Sequence, residues 1–150
     1  MRTTHRLPGT DRPCPAHARA RPLNTTAPSL FGRDITAVIL AGGTARRMGG
    51  EDKGLIELHG RPLLGYVLDA LRPQVANILV NANRNPERYR AFGCPVAGDI
   101  AGGFHGPLAG IATGMQTART PLLLVVPCDS PFLPGRLVEV LYRRMEKATA

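Results

Sequence analysis

Apolar residues along this chain recur in two alternating rhythms. Ile35–Leu40 (ITAVIL), Asn77–Asn81 (NILVN) and 121–126 (PLLLVV) are short apolar runs bounded by turn residues, as strands of a face-covered parallel sheet should be. The last run carries no charge and reads as a central strand. Stretches 63–71, 86–92, 107–117 and 134–147 carry the wider spacing of helices. Gly60-Arg61-Pro62 turns into the first of these, with Pro62 near its first position, and Pro73 stops it. A short extended piece falls at 55–58 and a brief third strand at 95–97. The helix at 107–117 contains glycines, which points to close packing rather than helix propensity. In the last helix, Leu137, Leu141, Tyr142 and Met145 share one face. This alternation predicts a Rossmann-like α/β fold, a mainly parallel sheet with helices on both faces.

Residues 1–34 break the rhythm. Five prolines and six arginines without apolar periodicity read as a disordered basic leader, leaving 35–150 as the folded part. The leader lacks the apolar centre of a secretory signal, and its prolines oppose the amphipathic helix of a transit peptide. A mis-assigned start or an idle extension accounts for it best. The net charge of +8 divides accordingly, with six arginines against two aspartates in the leader and thirteen basic against nine acidic side chains in the body. A body only mildly basic suits a small anionic substrate better than a nucleic-acid duplex. Cys14, Cys94 and Cys128 form no C-x-x-C pair, so neither a disulfide framework nor a zinc site is expected and the economical compartment is a reducing cytoplasm. No apolar stretch approaches the about 20 residues that span a membrane.

The chemistry concentrates after the first strand. Leu40-Ala41-Gly42-Gly43-Thr44-Ala45-Arg46-Arg47-Met48-Gly49-Gly50-Glu51-Asp52-Lys53 is a glycine-rich, basic loop. Glycines let backbone N–H groups approach phosphate oxygens, and the cations neutralise them. It is neither G-x-G-x-x-G nor a P-loop, because Gly54 follows Lys53 where Ser or Thr would stand. Lys53 is the expected phosphate partner; Arg46 and Arg47 read equally as solvated loop charges, and Asp52 as a brace accepting backbone N–H groups. Ligands of such sheets sit beyond the carboxyl ends of the strands. Four segments fall there: the loop after Leu40, Asn81-Ala82-Asn83, Gly98-Asp99 and Pro127-Cys128-Asp129.

Asp129 ends an otherwise uncharged strand, where it either holds Mg²⁺ on a nucleotide's phosphates or caps the turn before Pro131. Asn81, with Asn83 as a weaker candidate, would read a base edge or sugar, or simply make a turn. The two oxygens of Asp99 suit guanine N1–H and N2–H₂ or a ribose hydroxyl, against an Asx-turn into the following glycines. Gly106-Pro107-Leu108-Ala109-Gly110 opens a helix that either supports an anion or packs on the sheet. Cys128 reads as a small buried residue, and His59 and His105 receive no role.

Taken in order, LAGG…RRMGG.DKG, GRPL, NAN, GPLAG and PCD resemble the molybdenum cofactor guanylyltransferase family, a nucleotidyltransferase family, over residue 35 to about residue 141. The resemblance implies transfer of GMP from GTP to the molybdopterin form of the molybdenum cofactor, with release of pyrophosphate and Mg²⁺ as the metal. It implies nucleotide contacts from Leu40, Ala41, Gly42, Gly43, Arg47 and Lys53. Asn81 and Asp99 would recognise base and ribose, and Asp129 both metal and nucleotide, with Lys53 and Asp129 as the catalytic pair. Cofactor-synthesis and molybdoenzyme-maturation proteins are the partners it suggests. Family members continue beyond the point where this chain stops, into further strands, most of the pterin-binding surface and an Asn-rich motif that helps hold the metal. The chain is therefore expected to carry the nucleotide half of the site, with an unpaired sheet edge and exposed apolar surface. A cytidylyltransferase is the alternative within the class, although those relatives read L-A-A-G where this chain has Leu40-Ala41-Gly42-Gly43. An inactive nucleotide-binding fragment, and nucleic-acid binding through the leader, are the alternatives outside it.

Overall fold

The computed structural model describes residues 30–42, 51–100 and 106–149. Along the chain, β1 (Ile35–Leu40) enters the glycine loop, and β2 (Glu57–Leu58) and β3 (Arg61–Pro62) form a small antiparallel ribbon. The helix α1 (Leu63–Leu71), β4 (Asn77–Asn81), α2 (Pro86–Arg90), β5 (Val96–Ala97), α3 (Pro107–Thr117), β6 (Leu122–Pro127) and α4 (Leu137–Thr149) follow. The ribbon turns on His59 and Gly60, both at positive φ (50° and 74°), the requirement of a right-twisting two-residue hairpin turn. Pro62 lies just outside α1, its fixed φ feeding the helix while its missing N–H is not needed there.

β1, β4, β5 and β6 make one parallel sheet in the order β5-β4-β1-β6. From β1 the chain steps to β4 and β5 on one side, then crosses back to β6 on the other. Right-handed crossovers in opposite directions put their helices on opposite faces, and side-chain alternation along β1 shows this. Ala37 and Ile39 join Leu64, Val67, Leu68 and Leu71 of α1 in the main core, whereas Val38 meets α3. Gly114 permits that second contact, since a Cβ there would stand 2.7 Å from Val38 Cγ2.

Four expectations need correction. The run at 121–126 is not central: β6 is the outermost strand on its side of the described sheet. Continuous apolarity reports contacts on both faces, which helices supply in part to an edge strand as well as to a central one. The apolar face of α4 is also rotated. Val138 is its buried residue and Leu137 and Tyr142 pack partly on the core, while Leu141 and Met145 are 46% and 40% exposed. Packing begins before residue 35, because Leu30–Gly32 forms a 3-10 turn and Phe31 meets Tyr142 at 5.4 Å between ring centroids. Of residues 55–58, only Glu57–Leu58 is extended as β2, and Leu55 ends a 3-10 turn over Lys53–Leu55.

Candidate functional site

Register lines up the strand ends. Leu40 pairs with Asn81 on one side and Pro127 on the other, and Asn81 pairs with Ala97. Backbone bonds carry the ladder past these ends: Ala41 N–H to the Asn81 carbonyl at 2.8 Å, Ala82 N–H to Ala97 at 2.9 Å and Cys128 N–H to Leu40 at 3.2 Å. The segments that follow therefore open at one level. A cavity of about 310 Å³ lies there, lined by Leu40, Gly42, Lys53, Asn81, Asp99 and Asp129 among others. It sits beyond the strand ends between β1, from which the chain steps to β4 on one side, and β6, to which it crosses back on the other, the place such sheets offer to ligands. A second cavity, at the opposite sheet edge, is lined by Thr36, Asn77, Thr117, Arg119 and apolar neighbours and brings no carboxylate to a metal or a base.

Two clusters occupy the main cavity. At one end, Lys53 Nζ donates to Asp129 Oδ2 at 3.3 Å. Both side chains are more than a third exposed, so the pair is worth about 0–1 kcal/mol and opens readily to an incoming phosphate or metal. At the other end, Asn81 Nδ2 donates to Asp99 Oδ1 at 2.9 Å and Asn83 Nδ2 to Asp99 Oδ2 at 2.6 Å, while Asp99 N–H donates to Asn83 Oδ1 at 2.6 Å. Asn81 also gives a hydrogen to the Ala97 carbonyl at 3.3 Å. The amide of buried Asn81 is thus engaged in aiming Asp99, and the Asp99 oxygens keep lone pairs for a ligand's donors. Asn83, a weaker candidate in the sequence, is an equal member of this cluster.

α3 is shaped to accommodate it. A Cβ on Gly110 would run into Asn81 Oδ1 and come within 2.7 Å of Leu40 Cδ2. Thr113 donates to the Ala109 carbonyl and accepts Ile100 N–H at 3.0 Å, tying the segment after Asp99 to the helix. The close-packing account of the GPLAG segment is thus the one its geometry favours.

Asp52 is buried behind Lys53, its side chain only 3% exposed. It receives Asn85 Nδ2 at 2.8 Å and faces Arg84 Nε at 3.8 Å, so side chains of the β4–α2 connection brace it, where backbone N–H groups were expected. Buried Tyr89 donates to the Ala41 carbonyl at 3.5 Å; burial and the nearby Asp52 charge push its phenol well above the ordinary tyrosine value. Cys128 is buried beside it, and burial together with Asp129 pushes its thiol to about 12, which leaves it protonated and inert. Sequence reasoning passed over Asn85 and Tyr89. The i, i+2 spacing of Asn81, Asn83 and Asn85 was the visible signal.

Gly43, Arg46, Arg47 and His105 lie outside the described residues. Among the described residues no group of three or more His, Cys, Asp or Glu side chains could hold a metal. Mg²⁺ does not require one, since it keeps several waters and is commonly held by one or two carboxylates plus substrate phosphates. The single exposed carboxylate of Asp129 fits that donor set. Among the described residues no helix is long and apolar enough to cross a membrane.

The MobA-like NTP transferase domain family matches residues 37–150. The chain is 53% identical over 116 residues to a molybdenum cofactor guanylyltransferase of Shewanella sediminis, covering 77% of this chain and 59% of that protein. It is 51% identical over 117 residues to the molybdenum cofactor guanylyltransferase of Yersinia pseudotuberculosis, covering 78% and 60%. The chain therefore spans about six-tenths of the length of these curated relatives. Among solved structures, the molybdopterin-guanine dinucleotide biosynthesis protein A of Archaeoglobus fulgidus superposes with a TM-score of 0.57 at 25% identity, over 75% of this chain and 56% of that one. A CMP:2-keto-3-deoxy-manno-octonic acid synthetase complexed with CTP superposes with a TM-score of 0.61 at 20% identity, over 79% and 49%, and shares the fold.

Proposed function

The chain belongs to the MobA-like NTP transferase family, and from that premise we propose that its cavity is the nucleotide half of a guanylyltransferase site. The reaction would transfer GMP from GTP to molybdopterin. One observation carries the reading: a single cavity joins a cation–carboxylate pair, Lys53 and Asp129, to a carboxylate aimed by two amides, Asp99 with Asn81 and Asn83. The first suits a triphosphate. The second suits guanine, whose adjacent N1–H and N2–H₂ donors match two carboxylate oxygens, whereas the pairing edge of cytosine offers a single amino donor.

In this reading, GTP breaks the Lys53–Asp129 bridge and the Lys53 ammonium moves onto phosphate oxygens. Asp129 would hold Mg²⁺, which when bound neutralises phosphate charge and fixes its orientation. Asp99 holds the guanine, so the α-phosphorus is presented in one geometry. A phosphate oxygen of the pterin then attacks that phosphorus, a new P–O bond forms and the bond to pyrophosphate breaks. No covalent enzyme intermediate is needed, and rate comes from positioning and charge neutralisation. Leu40, Ala41 and Gly42 would line the nucleotide, with Gly43 and Arg47 contributing from the loop.

Thermal melting of the chain with Mg²⁺ and GTP, CTP or ATP tests this. A ligand that binds only the folded state stabilises it by about 2.7 kcal/mol at a hundred times its Kd. GTP should raise the Tm most, and Lys53→Ala and Asp129→Ala should each shrink the shift. A preference for CTP would convert the reading to a cytidylyltransferase; no shift with any nucleotide would remove it. Mg²⁺-dependent release of pyrophosphate from GTP and molybdopterin tests the transfer step.

A further inference from the structure

The glycine loop departs from β1 at Ala41 and returns at Asp52 and Lys53. Both anchors are gripped by one short stretch, from the end of β4 through α2. Asn85 donates to the buried Asp52 carboxylate at 2.8 Å, with Arg84 Nε on the other oxygen at 3.8 Å. Four residues on, Tyr89 reaches the Ala41 carbonyl, and its ring packs 3.2 Å from where a Gly54 Cβ would stand, against the Lys53 turn. The same stretch begins with Asn81, the last residue of β4, and Asn83, which aim Asp99. Asn85 itself sits in the left-handed region, φ 45° and ψ 44°, a conformation that asparagine tolerates better than most residues. Its amide reaches Asp52 from there.

Resting on the nucleotide-site reading, we propose that Asn85 and Asp52 are positioning residues. Their hydrogen bond fixes the turn that carries Lys53, and couples the Asp99 end of the cavity to the phosphate end. Asp52 precedes Lys53 directly, so a buried, hydrogen-bonded carboxylate sets the backbone from which the lysine projects. Lys53 is half-exposed and held otherwise by the weak bridge to Asp129. Its preorganisation for phosphate then comes from the turn beneath it.

Asn85→Gly isolates the amide, because glycine adopts the same positive φ without strain. Isothermal titration with GTP and Mg²⁺, on the chain as it exists, should show affinity reduced about tenfold, the size of one hydrogen bond to a charged group. The decisive readout is a double-mutant cycle with Lys53→Ala. If Asn85 acts through Lys53, Asn85→Gly changes affinity by less than about twofold once the lysine is gone. Equal losses in both backgrounds, or no loss in the wild-type background, would overturn the proposal. Should Asn85→Gly fail to fold, Asn85→Asp keeps the shape, removes the donor and sets a carboxylate against Asp52; wild-type affinity in that variant overturns the proposal as well. A wild-type chain that binds no nucleotide, or a Lys53→Ala chain that binds as well as wild type, removes the nucleotide-site reading and this inference with it. That outcome is distinct from a Lys53-dependent site indifferent to residue 85.

Discussion

Lys53 and Asp129 meet at 3.3 Å from positions 76 residues apart, in a pair that solvent largely screens. Replacing either should therefore leave the unliganded Tm nearly unchanged while shrinking the nucleotide-dependent shift, and thermal melts read both. Cys128 and Tyr89 behave in the opposite way. Their folded acid values are raised by burial, so the stability they confer is complete below the unfolded values. It is lost as pH rises, because the unfolded chain ionises first. We expect the Tm to fall from about pH 9 upward, where free thiols and then phenols ionise. Cys128→Ser should reduce the thiol part of that fall in a pH series of melts. At pH 8 a maleimide should label Cys128 only after denaturation. This buried thiol was legible from its place at the end of an apolar run; the bracing by Asn85 was not, since its partner Asp52 lies 33 residues earlier.

At the level of elements, sequence periodicity locates β1, β4, α1 and α3 at their observed limits, because turn residues bound them: Pro62 and Pro73 around α1, Gly106 before α3, Gly42 after β1, and asparagine at both ends of β4. The glycines of 107–117 announce close packing, but not which side chains they meet. α3 comes close enough that Gly110 and Gly114 touch side chains of β1 and β4. Gly114→Ala should cost about 1–3 kcal/mol by overpacking against Val38, read as a lower urea midpoint with nucleotide affinity retained. Gly110→Ala should lower stability comparably and also weaken GTP binding, because the new methyl displaces Asn81 and with it Asp99. On the other face, Leu68→Ala in α1 should cost about 2–5 kcal/mol by opening a cavity in the main core. Its urea midpoint should fall without a change in m.

For the whole molecule, the described sheet ends at β6, beside a groove formed by Ile35, Leu122, Leu124, Val138, Leu141 and Met145. An outer strand beside exposed apolar side chains favours self-association. Light scattering should rise with protein concentration, and Leu141→Lys with Met145→Lys should suppress it. The GTP-dependent Tm shift should survive, since this groove lies away from the nucleotide cavity. The sequence by itself determined most strand and helix spans, the α/β class and the glycine-rich, basic make-up of the loop after β1. Each of these depends on residues near one another in the chain: apolar period, turn punctuation, glycines beside cations. The tertiary structure alone decided that β6 is the outer strand of the described sheet, which face of α4 is buried, and that Asn81 aims Asp99 while Asn85 supports the Lys53 turn. Those outcomes depend on strand register and on the direction of each crossover, which bring together side chains whose separation along the chain carries no trace of their contact.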